Sequence, residues 1–216
     1  MNASTTALGT LGIAVLAVVL DPVWRWSKRL VTLVHETGHT LVLWGTGHWV
    51  KSIGIESNGN GATTWAREAF WPVQVAVYFA GNAAPPVAGV LLAVGVARGW
   101  SPPAVIATIL VLLVLVVLLH SDWHTLLVMA LFGAGLAFFF WRAGPGAQRG
   151  LVITLAWFLL LGGLRMIMNA AGGAAPKGSD QAQLQRITSL HATGWVLIWM
   201  TIAVAAVVGG ARALLY

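Results

Sequence analysis

Apolar residues in this chain come in long blocks separated by short polar connections. Residues 103–119 read PAVIATILVLLVLVVLL and residues 151–164 read LVITLAWFLLLGGL. A bilayer-spanning helix needs roughly 20 mainly apolar residues. On that measure the pattern predicts spans at about 7–24, 27–45, 72–97, 103–121, 123–141, 150–168 and 192–214. The expected fold class is therefore an all-α polytopic membrane protein of about six or seven transmembrane helices, forming a single integral membrane domain over 1–216.

Two segments depart from the block pattern. Residues 46–70 alternate apolar and polar positions, pass through Asn-Gly-Asn-Gly and resume with Thr-Thr-Trp. That is the signature of a β-hairpin with its turn at about 58–61. Open strand edges are not tolerated in lipid, so the hairpin is expected at an interface or packed on protein. Residues 169–190 form the longest polar connection, where Ser179 or Asp180 is placed to cap the final helix. Within 72–97 the stretch FAGNAAPPVAGV offers small residues for close helix packing, and Pro85-Pro86 predicts a kink or a break.

Composition agrees with the membrane reading. The 216 residues are 58% hydrophobic and only 8% charged, against about 25% charged in soluble proteins. With no cysteine, disulfide scaffolds and thiolate metal sites are excluded. The net charge of +6 comes from Lys and Arg scattered singly, apart from Lys28-Arg29, with no interleaved aromatic patch. This is the flanking of spans by basic residues and not a nucleic-acid surface. Trp24, Trp26, Trp71, Trp100, Trp123 and Trp141 fall near block ends, where indole rings favour the interface. The first apolar run lacks the basic leader and small-residue site of a cleavable signal.

One apolar block carries chemistry. In VTLVHETGHTLVLWGTG, residues 31–47, His35 and His39 stand four apart and share a helix face. Imidazoles so placed can both reach one Zn²⁺, and Glu36 between them can take a proton from a water that the metal activates. This is the zinc-peptidase use of H-E-x-x-H on a helix. Chance produces His-acid-x-x-His in roughly half a percent of chains with this composition. Of the six acids, only Glu36 falls well inside a predicted span, and an ionisable residue there marks a functional site by default.

A catalytic zinc site takes a third protein ligand and keeps one position open. If the hairpin does not cross, the second, fourth and sixth helices run parallel, and their ends near 45, 121 and 168 share one face. Asp122, which adjoins a core span, is the first choice for third ligand, with His124 and Asp180 as alternatives. Asn82, Ile53 and Ile55 are the candidate substrate-binding residues, the two isoleucines through a strand edge offered to an extended peptide. His48 and His191 read as interfacial, and Arg165 as snorkelling or paired with Asp180.

The order of HETGH helix, hairpin, FAGNAAPPVAG helix and a later acidic helix end resembles the site-2 protease family of intramembrane zinc metallopeptidases. The segment HETGHTLVLWGTGHWVKSIGIESNGNGATTW, with WFLLLGGLR and SDQAQLQRIT, is similar to a small actinobacterial, peptidase-like branch of that family. The resemblance implies cleavage of membrane-embedded peptide substrates in a bacterial plasma membrane, with His35 and His39 as zinc ligands and Glu36 as base. Site-2 proteases carry a third ligand in an Asn-Pro-x-Asp-Gly-like segment. Here HSDWH stands in roughly that place, with neither the Pro nor the Gly. Two other readings compete: a non-catalytic membrane protein with a metal site, and a proton- or metal-coupled transporter. The chain shows none of the repeat symmetry that many transporters carry. Counting Arg25, Lys28, Arg29, Arg98, Arg142, Arg149 and Arg212 on one face, the parity argument gives a seven-to-five basic bias toward that face.

Overall fold

A computed structural model describes residues 3–66, 69–118, 123–172 and 175–216. Two helices come first, α1 (Ala3–Val19) and α2 (Asp21–Gly45), followed by the strands β1 (Val50–Ile55) and β2 (Gly61–Trp65). The rest is helical: α3 (Trp71–Ala97), α4 (Pro102–Val117), α5 (Trp123–Arg142), α6 (Pro145–Ala171), α7 (Asp180–Ile187) and α8 (Ala192–Leu215). Proline stands in the first two positions of α2, α3, α4 and α6. Its missing N–H costs nothing there, and its fixed φ suits the helix start. The chain is thus an all-α membrane protein with one hairpin.

The helix α3 is the hub, packed on α2, α6, α7 and α8. It runs unbroken through Pro85 and Pro86, and α6 presents Gly163 to the proline rings. A Cβ on Gly163 would come within 2.8 Å of Pro86 Cδ. Gly38 of α2 faces the Ala80 carbonyl and the Ala84 methyl, each 2.7 Å from where its Cβ would be. Small residues at these crossings let backbones approach closely, which drives helix association in lipid.

Packing contacts fix the directions of the helices. The Trp157 indole donates to the Ala7 carbonyl at 3.2 Å, and Arg165 reaches the Val18 carbonyl, so α1 and α6 run the same way. The Trp199 indole donates to the Phe79 carbonyl at 3.0 Å and Gly209 lies against Val90, so α8 runs with α3. Gly89 and Gly163 set α3 antiparallel to α6. The C-terminal ends of α1 and α6 therefore meet the N-terminal ends of α3 and α8.

At that end the chain turns by 100° from α1 into α2. Arg165 staples the corner: it donates to the Val18 carbonyl, pairs with Asp21 at 2.6 Å and covers the Trp24 ring at 4.9 Å. Its partner is thus Asp21 and not Asp180. Among the described residues four helices, α3, α5, α6 and α8, are long and apolar enough to cross a membrane, or five if α1 and α2 form one broken span. The count is close to the six or seven expected, and the difference lies in α2 and α4. A face of α2 carries Lys28, Thr32, His35, Glu36 and His39, so it cannot be turned to lipid on all sides. The 16 residues of α4 reach only about 24 Å, short of a hydrocarbon core of roughly 30 Å.

The hairpin packs along α2. Ile53 pairs with Thr63 and Ile55 with Gly61, with an irregularity between Val50 and Ser52. Val50, Ile53 and Ile55 are buried with Leu33 and Leu43 of α2, Val73 and Val77 of α3 and Met129 of α5. The turn spans 56–60 and needs Gly59, whose φ is +81°. Thr32 donates to the Gly59 carbonyl at 2.9 Å and Arg29 to that of Ser57 at 2.7 Å, pinning the tip to α2.

This arrangement revises the charge balance. Because α2 stays at the end where it begins, Arg25, Lys28 and Arg29 lie with Lys51, Arg165, Lys177 and Arg186. Arg98, Arg142, Arg149 and Arg212 lie at the opposite end. Arg67 falls outside the described residues. Among the described residues the basic excess therefore marks the α2 end, and by the positive-inside rule that end is expected on the cytosolic side. The chain has no cysteine, so single cysteines can report this. At Lys177 a cysteine is expected to react with a membrane-impermeant maleimide only in inverted vesicles, and at Arg149 only in right-side-out ones. The reverse pattern would put the α2 end outside.

Candidate metal centre

Four elements converge on one side of α2. The glycine contact at Gly38 holds α2 against α3, and beside it His35 and His39 project toward Gly81 of α3. The Val77 carbonyl accepts a hydrogen bond from His39 Nδ1 at 2.7 Å. A carbonyl can only accept, so the proton is on Nδ1 and the lone pair of Nε2 is free to point inward. It faces His35 Nε2 at 3.1 Å, the two rings meeting edge to face at 87°.

Asp180 closes this group from the first residue of α7. Its Oδ2 is 3.1 Å from His35 Nε2 and its Oδ1 is 3.5 Å from His39 Nε2. Asn82 of α3 donates its Nδ2 to Asp180 Oδ2 at 3.0 Å, which fixes both the carboxylate and the amide. The two imidazoles and the carboxylate each bring one ligand atom within 4.8 Å of the others, a group able to hold a metal ion. His39 and Asn82 are buried, and His35 and Asp180 nearly so. His35 Nδ1 is buried, with no hydrogen-bond partner among the described residues.

Glu36 stands beside the cluster, 3% exposed. Thr63 of β2 donates to its Oε2 at 2.7 Å. Gly61 lies directly over the carboxylate, where a Cβ would come within 2.7 Å of Cδ. The hairpin therefore aims Glu36 as well as covering it. All of these groups line one cleft of about 880 Å³, walled by α2, β2, the end of α6 and the segment before Asp180.

Asp122 lies outside the described residues. His124 is exposed on α5 against the Trp123 ring and is not one of the grouped residues. Ser179 and Asp180 open α7, a separate helix of 8 residues, while the final helix α8 is capped by His191, whose side chain accepts from the Thr193 N–H. Ile53 and Ile55 are fully buried, and the Ile55 N–H donates to Thr125 Oγ1 at 2.6 Å, so α5 covers that edge of β1. The strand lining the cleft is β2. Sequence reasoning missed Gly81 and Thr63. Gly81 precedes Asn82 in the small-residue run AGNAA, but nothing local marks Thr63 in GATTW.

None of the curated proteins and none of the solved structures matches this chain significantly. The model of one family, described as Peptidase M50B-like, matches residues 8–210. That match spans nearly the whole length and includes every residue of the cluster, and the chain belongs to this family, within the site-2 protease group that its motifs resemble.

Proposed function

We propose that the protein is an intramembrane zinc metalloendopeptidase of a bacterial plasma membrane. His35, His39 and Asp180 are its metal ligands and Glu36 is its general base. The observation that carries this reading is the convergence of two imidazole Nε2 atoms and a carboxylate from a separate element, with a second carboxylate alongside.

The residues fit a metal. The His39 tautomer leaves its Nε2 lone pair toward the other donors, and imidazole and carboxylate together suit zinc. Gly81 provides the space: a Cβ there would lie 2.6 Å from His39 Nε2 and 2.7 Å from His35 Nε2. Any other residue would fill the volume that the ligand atoms face. Zinc held there supplies a Lewis acid that polarises the scissile carbonyl and acidifies water.

The chain's own groups do the rest. Glu36, oriented by the Thr63 hydroxyl, accepts the proton of the attacking water and later delivers it to the leaving amine. Asn82 holds Asp180 in place, so its part in substrate binding is indirect, through the ligand that it orients. A substrate must be extended before its carbonyls are accessible, because a helix bonds them internally. The edge of β2 suits such a segment. Glu56 and Asn60 form a hydrogen-bonded pair, so by alternation the N–H and C=O groups of Gly61 and Thr63 point away from β1. Peptide backbone added there would run past Glu36. This role passes to β2 the strand-edge contact expected of Ile53 and Ile55 on β1.

The purified protein is expected to hold one zinc per chain. His35→Ala and Asp180→Ala should lose it, and Gly81→Ala should lose it while keeping its helical circular dichroism. Zinc retained at full stoichiometry in Asp180→Ala would return the third position to Asp122. With a membrane-helix substrate, Glu36→Gln should retain zinc and lower kcat by about 10²–10⁴, the range for removing a general base. Cleavage at the original rate would exclude this role for Glu36.

A further inference from the structure

The proposed chemistry leaves Lys28 unused, although it belongs to the same cleft. It stands on α2 two turns before Glu36, and its side chain lies over Gly59 at the hairpin turn, where a Cβ would be 3.2 Å from Nζ. Among the described residues it makes no ion pair. Asp21 is held by Arg165, Glu36 by Thr63, Glu56 by Asn58, and Asp180 by the histidines and Asn82. Lys177 lines the cleft from the segment before Asp180 and also makes no ion pair with a described residue. Half-buried and free of an ion pair with any described residue, the Lys28 ammonium is open to a substrate anion in the cleft. Glu36, Glu56 and Asp180 line the same cleft, so an incoming carboxylate is favoured only beside the lysines.

We propose that Lys28 is a specificity residue that receives a carboxylate of the substrate about three to four residues from the scissile bond, on the side toward the hairpin turn. The carboxylate is supplied by an acidic side chain or by a free C-terminus. The inference rests on the metallopeptidase reading and adds the substrate chemistry to it.

Two independent rulers give the spacing. Along α2, Lys28 precedes Glu36 by eight residues, or about 12 Å at 1.5 Å per residue. An extended peptide covers that distance in three to four residues at about 3.3 Å each. Along the hairpin, Thr63 touches Glu36 and Gly59 lies under Lys28, four residues apart. A peptide bond attacked beside Glu36 therefore carries a side chain past Lys28 three or four positions away.

Binding to zinc-loaded Glu36→Gln protein tests this without turnover. Extended fluorescent peptides with amidated ends carry Glu, Gln or Lys at each position across an eight-residue window, and a second set ends there in a free carboxylate or its amide. Anisotropy should show one position where Glu binds about tenfold tighter than Gln, the size of one charge-assisted hydrogen bond. If the natural group is a C-terminus, the free-acid set should show the larger preference. The preference should shrink with added salt, vanish in Lys28→Gln and turn toward Lys in Lys28→Glu, with zinc content reporting that each variant is folded. Equal binding of Glu and Gln peptides at every position would overturn the proposal and leave the peptidase reading standing. A preference that survives Lys28→Gln in zinc-loaded protein would likewise overturn it. If no peptide bound the zinc-loaded protein at all, both would fall.

Discussion

Two imidazoles and two carboxylates inside an apolar helix bundle need partners from the protein, because lipid offers none. That requirement organises the α2 end of this protein. The Val77 carbonyl takes the His39 Nδ1 proton, Thr63 donates to Glu36, Asn82 donates to Asp180, and the imidazoles and Asp180 face one another. The partners come from α3, β2 and α7, so the site exists only when those elements are docked. The glycines at 38, 61 and 81 are where the docking is tightest, each at a point where a methyl group would meet a neighbour.

The same requirement explains the hairpin. Two strands alone in lipid would leave open edges. Here β1 buries Val50, Ile53 and Ile55 and gives the Ile55 N–H to Thr125 of α5, while the tip is pinned by Thr32 and Arg29. β2 is left to line the cleft. A structural strand thus shields its neighbour, and the neighbour is free to hold Glu36 and to line the cleft.

What was legible in the sequence follows from how local each signal is. His35, Glu36 and His39 could be read because helix geometry alone places residues four apart together. Span existence was equally readable from the long apolar runs. The lie of α2 was not, since a hydropathy average over 27–45 hides the polar face that begins at Lys28, and the 100° corner depends on Arg165, far along the chain. Helix parity put Asp180 at the correct end of the bundle. Its meeting with the histidines required α7, a short helix that reads from sequence as the cap of the next one. Strand alternation located the hairpin, but only packing against α5 and α2 decides which edge remains for a ligand.

The central claim is a metal held by two histidines of α2 and a carboxylate from the start of α7. X-ray absorption at the zinc edge of the purified protein addresses it directly. Two imidazole scatterers and oxygen neighbours at about 2.0–2.2 Å are expected, with no sulfur. A first shell with a single imidazole, or with three, would contradict it.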